Sequence, residues 1–167
     1  MENNKRICFI GHRYIDYLAA KKRLKEVVEK EIENGYKFFT MGTHGDFDKL
    51  ALSVCKELRR TYTNIEIEVV ITSLAQITPI IDNDPVYGCE KYVPYDDVKT
   101  IMYDIEDEHY KRRITASNRQ MIDSCDTLIA YVHENRSYGG AISAYKYAKK
   151  KGLKIINIFD QVHFINK

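Results

Sequence analysis

Three apolar, strand-like runs in this chain each lead into a glycine-bearing turn. Ile7–Ile10 leads into Gly11-His12-Arg13. Phe38–Met41 leads into Gly42-Thr43-His44-Gly45-Asp46-Phe47-Asp48. Leu128–Val132 leads into a polar loop ending Ser137-Tyr138-Gly139-Gly140. The second and third turns each open a helix-like pattern. In an open α/β sheet such turns gather at the carboxyl edge of the strands. There glycine lets backbone approach a ligand, and helix N-termini present unpaired N–H groups to an anion. Three on one chain point to a pocket for a phosphate-bearing ligand.

The patterns between the turns support that architecture. Strand-like runs at Arg6–Ile10, Tyr36–Met41, Ile65–Thr72, Thr100–Ile105, Thr127–Val132 and Leu153–Phe159 alternate with helical stripes. The helices are expected over Leu18–Asn34, Phe47–Tyr62, Asp107–Ser124 and Gly140–Lys151. The first and fifth runs are almost continuously apolar, as in strands covered on both faces. Glu66 and Glu68 give the third run one wetter face near a sheet edge. This alternation predicts an α/β fold: a Rossmann-like, doubly wound, mainly parallel sheet of about six to seven strands with helices on both faces. With 167 residues the chain suits a single domain. Residues 73–98 break the rhythm. They hold Pro79, Pro85 and Pro94 and read as an irregular loop or lid, whose Tyr87, Tyr92 and Tyr95 fit either base stacking or core patching.

Composition narrows the function classes. Lys plus Arg number 26 and Asp plus Glu 24, so the basic surplus typical of nucleic-acid binders is missing. No apolar run approaches the length of a membrane span, no secretory signal is visible, and the four cysteines show no C-x-x-C spacing. A cytoplasmic protein without a membrane partner is the simplest expectation. Cys8 and Cys55 read as small core residues. The run Asp104, Glu106, Asp107, Glu108 and His109 reads as a solvated acidic helix cap rather than a metal site.

Among polar residues beside the turns, Arg13 offers a planar fork suited to phosphate, and His12 suits either a ribose contact or a structural role. Asp46 reads as an N-cap. Asp48 suits either a first-turn acid or a ribose acceptor. Asn118 and Arg119 lie beside Met121 on a buried helical stripe, where a charge needs a partner. Gly139 and Gly140 open the last helix, with Ser137 as a nearby hydroxyl.

Taken together, Ile10-Gly11-His12-Arg13, Gly42-x-x-Gly45-x-Phe47-Asp48, Asn118-Arg119-x-Met121-Ile122-Asp123 before Cys125-Asp126-x-Leu128-Ile129-Ala130, and Gly139-Gly140 resemble the SLOG superfamily, in particular its stand-alone YpsA-like branch. The superfamily includes the LOG phosphoribohydrolases, the DNA-processing protein DprA and sensors of nucleotide or NAD-derived signals in bacterial defence. The resemblance implies a homo-oligomer binding a nucleotide or ADP-ribose-like ligand, with no separate cofactor. The ligand is expected on Gly11, His12, Arg13, Gly42, Thr43, Gly45, Asp48, Asn118, Arg119, Ser137, Gly139 and Gly140, with Arg119 and the Gly139-Gly140 helix end sharing one phosphate. The LOG motif Pro-Gly-Gly-x-Gly-Thr-x-x-Glu is matched here only by Ser137-Tyr138-Gly139-Gly140-Ala141-Ile142-Ser143-Ala144-Tyr145, which lacks its proline, a glycine and its glutamate. The resemblance therefore implies a sensor or a sponge for a signalling nucleotide before it implies a LOG-type N-glycosidase, for which Asp48 and Asp126 are the carboxylate candidates. DprA-type single-strand binding ranks last.

Overall fold

A computed structural model describes residues 4–105 and 109–163. Six strands form one parallel sheet: β1 (Arg6–Gly11), β2 (Phe38–Met41), β3 (Glu66–Val70), β6 (Lys99–Ile101), β7 (Thr127–Tyr131) and β8 (Lys154–Asn157). Their order is β6-β3-β2-β1-β7-β8, and every neighbouring pair runs parallel. Helices α1 (Tyr17–Glu33), α2 (Asp46–Arg59), α3 (Tyr110–Asp123), α4 (Gly140–Lys151) and the short α5 (Phe159–His163) complete the Rossmann-like, doubly wound fold.

The continuous apolar runs have the expected cause. In β1, Ile7 and Phe9 enter a core shared with α1 and α2, while Cys8 and Ile10 enter a second core with Met121, Ile122 and Ile142. Strand β7 divides likewise, with Ile129 and Tyr131 on one face and Leu128 and Ala130 on the other, followed by Val132 just past its end. Alternate side chains of a strand point to opposite faces, so a strand sandwiched by helices needs apolar residues throughout. Helix α4 ends as the glycine predicts: Gly152 is left-handed at φ 77° and its N–H returns to the α4 carbonyls.

Three expectations need correction. Residues 73–98 are not irregular throughout. They contain a 3-10 turn (Leu74–Ile77) with a Ser73 capping box, then an antiparallel hairpin of β4 (Ile80–Asp84) and β5 (Gly88–Tyr92). This hairpin stands where a helix would normally cross from β3 to β6. Its tyrosines also divide. Tyr87 is 84% exposed and Tyr92 51%, whereas Tyr95 packs against the main core. Second, Glu68 does not face water: it is fully buried and meets Arg6 at 2.6 Å, Lys99 at 3.3 Å and the Thr40 hydroxyl at 3.1 Å. Burial opposes its ionisation, but Arg6, Lys99 and Thr40 outweigh that and hold the carboxyl below its usual range. Third, the chain after β8 turns into α5, not further strand. In the acidic run of 104–109, positions 106–108 lie outside the described residues. Among the described residues no helix is long and apolar enough to cross a membrane, and no three His, Cys, Asp or Glu side chains are grouped to hold a metal ion.

Candidate functional site

The strand order reverses between β1 and β7. From β1 the chain steps outward through β2 and β3 to β6, then returns to β7 on the other side. In doubly wound sheets ligands bind outside the carboxyl ends of the strands at such a point. Here that position is a cavity of about 520 Å³, lined by Ile10, Gly11, His12, Arg13, His44, Asp48, Ile114, Thr115, Asn118, Arg136, Gly139, Gly140 and Ala141.

Two mainly apolar strands, the starts of α2 and α4 and the middle of α3 place these groups. The His12 backbone N–H extends the β1–β7 ladder by donating to the Tyr131 carbonyl at 3.1 Å. That register drops the His12 ring, only 6% exposed, between the two strand ends. Its Nε2 accepts the His133 backbone N–H at 2.7 Å, and its Nδ1 lies 3.2 Å from Arg136 Nη1. Burial first, then the nearby Arg136 and His133, pushes the His12 pKa down to about 4, so the ring is neutral at pH 7. A neutral imidazole accepts at one nitrogen only. With Nε2 engaged by a backbone N–H, Nδ1 carries the proton and meets a guanidinium donor. The opposite tautomer moves the same conflict to Nε2.

Across the cavity, Asp48 sits in the first turn of α2 and reaches back to accept the His44 backbone N–H at 3.0 Å. Burial raises its pKa to about 6 against the opposing effect of the His44 and Gly42 N–H groups. Gly42 makes room for this: a Cβ there would stand 3.0 Å from Asp48 Oδ2. The His44 ring bonds the Thr72 hydroxyl at 3.1 Å, and burial followed by the charge of Arg13 lowers its pKa. On the open side, α4 begins at Gly140 with Gly139 as N-cap and no capping side chain. Its first N–H groups therefore point toward the cavity mouth with the positive end of the helix dipole.

Of the residues expected from sequence, Gly11, His12, Arg13, Asp48, Asn118, Gly139 and Gly140 line this one cavity. The others do not. Arg119 lies on the exposed side of α3 with its guanidinium 5.3 Å from the Tyr147 ring centroid. Arg119 lies about 100° further around α3 than Asn118, which carries its side chain to Tyr147 of α4 while Asn118 lines the cavity. Ser137 is exposed and outside the lining. Thr43 is occupied by the Gln76 amide at 2.7 Å, which ties its turn to the 3-10 segment. Gly45 packs on the Arg13 backbone and serves as N-cap of α2, so Asp46 is the first helical residue rather than the cap. Asp126 accepts the Arg6 backbone N–H at 2.9 Å, at the amino end of the strands and away from the cavity. Arg136, His44 and Thr115 complete the lining without having stood out in the sequence. Arg136 had one available signal, its place three residues before the Gly139-Gly140 pair.

No family model and no curated protein matches this chain.

Proposed function

We propose that the protein binds a phosphate-bearing small molecule of the nucleotide or ADP-ribose type in this cavity, holding it intact as a sensor or sponge for a signalling nucleotide. The observation that carries the reading is the donor-against-donor contact between the His12 ring and Arg136. One anionic oxygen seated beside the pair, within hydrogen-bond reach of both nitrogens, accepts from both once the Arg136 side chain turns toward it. Arg13 and the uncapped start of α4 add further donors around the same space. The likeness of the glycine framework to the SLOG superfamily supports the ligand class. With Arg119 turned toward Tyr147, Arg136 takes the cationic role.

Titration calorimetry with AMP and ADP-ribose tests this. Arg136→Ala is expected to weaken binding about 10- to 100-fold, since a hydrogen bond to a charged group contributes roughly 1.5–3 kcal/mol. Arg119→Ala is expected to leave affinity unchanged. No binding by the parent protein, or equal affinity for parent and Arg136→Ala, overturns the reading.

One observation favours a second reading, nucleotide N-glycosidase activity. A carboxyl group with a pKa near 6 inside a donor-rich cavity suits general acid–base work near neutral pH. Chromatography of the incubated nucleotide separates the two: intact ligand supports binding alone, and free base that disappears with Asp48→Asn supports hydrolysis.

A further inference from the structure

We infer that the aromatic cleft beside the cavity is the seat of the ligand's nucleobase. This inference rests on the anion reading above and adds a second, separate subsite to it. The cleft has a volume of about 430 Å³ and is lined by His12, Tyr14, Tyr131, His133, Asn135, Arg136 and Phe159. It shares His12 and Arg136 with the donor cavity, so the two spaces meet across these side chains. A molecule that spans this pair places its anion in the donor cavity and its remainder in the cleft.

The walls suit a flat aromatic group. Phe159 stands edge-on to Tyr131 at 5.1 Å, to His133 at 5.0 Å and to His12 at 6.1 Å between ring centroids. These contacts fix a continuous aromatic floor at the start of α5. Tyr14 rises beside it and is 80% exposed. A large ring left in water next to an aromatic floor offers a stacking face that the protein's own packing does not use. Polar groups at the rim match a base edge. His133 Nδ1 accepts the Asn135 backbone N–H at 3.2 Å, so the neutral ring presents Nε2–H as a donor. The Asn135 side-chain amide brings a donor and an acceptor together. An aliphatic phosphate would use neither the stacking surface nor this paired edge, and a sugar phosphate alone would leave the cleft empty.

The test compares AMP and UMP with ribose 5-phosphate, which lacks only the base, by calorimetry on the parent protein and on Tyr14→Ala. Tyr14 is exposed enough for its removal to leave the fold intact, which a thermal melt checks. At least one nucleotide is expected to bind tenfold or more tightly than ribose 5-phosphate. Tyr14→Ala is expected to weaken that nucleotide about tenfold, in line with the loss of one base–aromatic stack, and to change ribose 5-phosphate by less than about twofold. Equal affinity of all three ligands for the parent protein overturns the base seat and leaves the anion reading standing. An equal loss for nucleotide and sugar phosphate in Tyr14→Ala also overturns it. Binding of none of the three overturns the anion reading and the base seat together.

Discussion

The connections after β1 and β7 both carry glycine, Gly11 at the strand end itself and Gly139-Gly140 at the far end of a polar loop, but these glycines are there for different reasons. A Cβ on Gly11 would lie 2.2 Å from the Phe47 ring, deep in the core, and one on Gly45 would lie 2.9 Å from the Arg13 Cα. These glycines let β1, its following turn and α2 close on one another. At Gly139 and Gly140 a Cβ would meet nothing within 4 Å. Gly139 is required only by its backbone, at φ 123°, and Gly140 is required by nothing in the protein itself. One turn is glycine-rich because protein fills the space, and the other while the space stays open. An open, glycine-lined helix start is what an anion site needs, and that difference separates scaffold from candidate site.

The sharpest way to break this comparison is Gly11→Ala. The methyl has to displace the buried Phe47 ring, and a 2.2 Å approach puts this at the upper end of the roughly 1–3 kcal/mol that overpacking typically costs. Urea denaturation should show the loss, and Phe47→Leu in the same chain should restore part of it. A fully stable Gly11→Ala would mean that the turn after β1 is as open as the one before α4.

Next in size is an effect of acid on two cavity groups. His12 titrates near 4 when folded against an ordinary 6.5, so its contribution is present above pH 6.5 and is lost as pH falls to 4. Asp48 titrates near 6 when folded against an ordinary 3.8, so its contribution is present below pH 3.8 and is lost as pH rises through 6. On acidification the two act in opposite directions and nearly cancel. Asp48→Asn leaves His12 uncompensated. Relative to the parent, its stability should fall by on the order of 2–3 kcal/mol between pH 6.5 and 4. Denaturation curves at intervals across that range check the sign, and parallel profiles for the two proteins would contradict it.

A smaller change is expected at Gly139→Ala. At φ 123° and ψ 158° the backbone is open essentially to glycine alone, so an L-residue costs roughly 1–3 kcal/mol there, and no clash adds to it. The smallest is Gly140→Ala, expected to shift stability by less than about 0.5 kcal/mol because the new methyl meets open space. Gly140→Val should likewise fold, while phosphate-ligand affinity drops as the side chain fills the cavity mouth. Thermal melts with and without AMP separate the two effects. A large stability loss at Gly140 would remove the distinction between the turns.

Much of this was legible in the sequence, for physical reasons specific to each segment. β1 and β7 are apolar on both faces and could only be central strands. α4 announces both ends, Gly140 to Lys151, through its flanking glycines. The β4–β5 hairpin was not legible because Ile80-Ile81-Asp82-Asn83-Asp84 has no period of two. Strands without a core face need no alternation, and these are largely exposed. α5 is too short to display a helical stripe. Glycine spacing pointed to the edge of the sheet where the cavity lies, but choosing between Asn118 and Arg119 depended on the rotation of α3, which the apolar stripe does not define finely enough. Arg136 was hidden in a loop, where no periodicity marks which way a side chain turns.

The pairing of His12 with His133 carries a consequence for how the protein comes into being. These partners are 121 positions apart, and the cavity draws on residues from Ile10 to Ala141. A chain emerging from the ribosome holds the first wall of the cavity early and waits for almost all the rest before the second arrives. No fragment ending before Arg136 possesses the site. On the proposed reading, ligand capture would report a chain made and folded at least as far as Ala141: a molecule that binds only the assembled cavity would stabilise β1 and α4 together, as one cooperative unit.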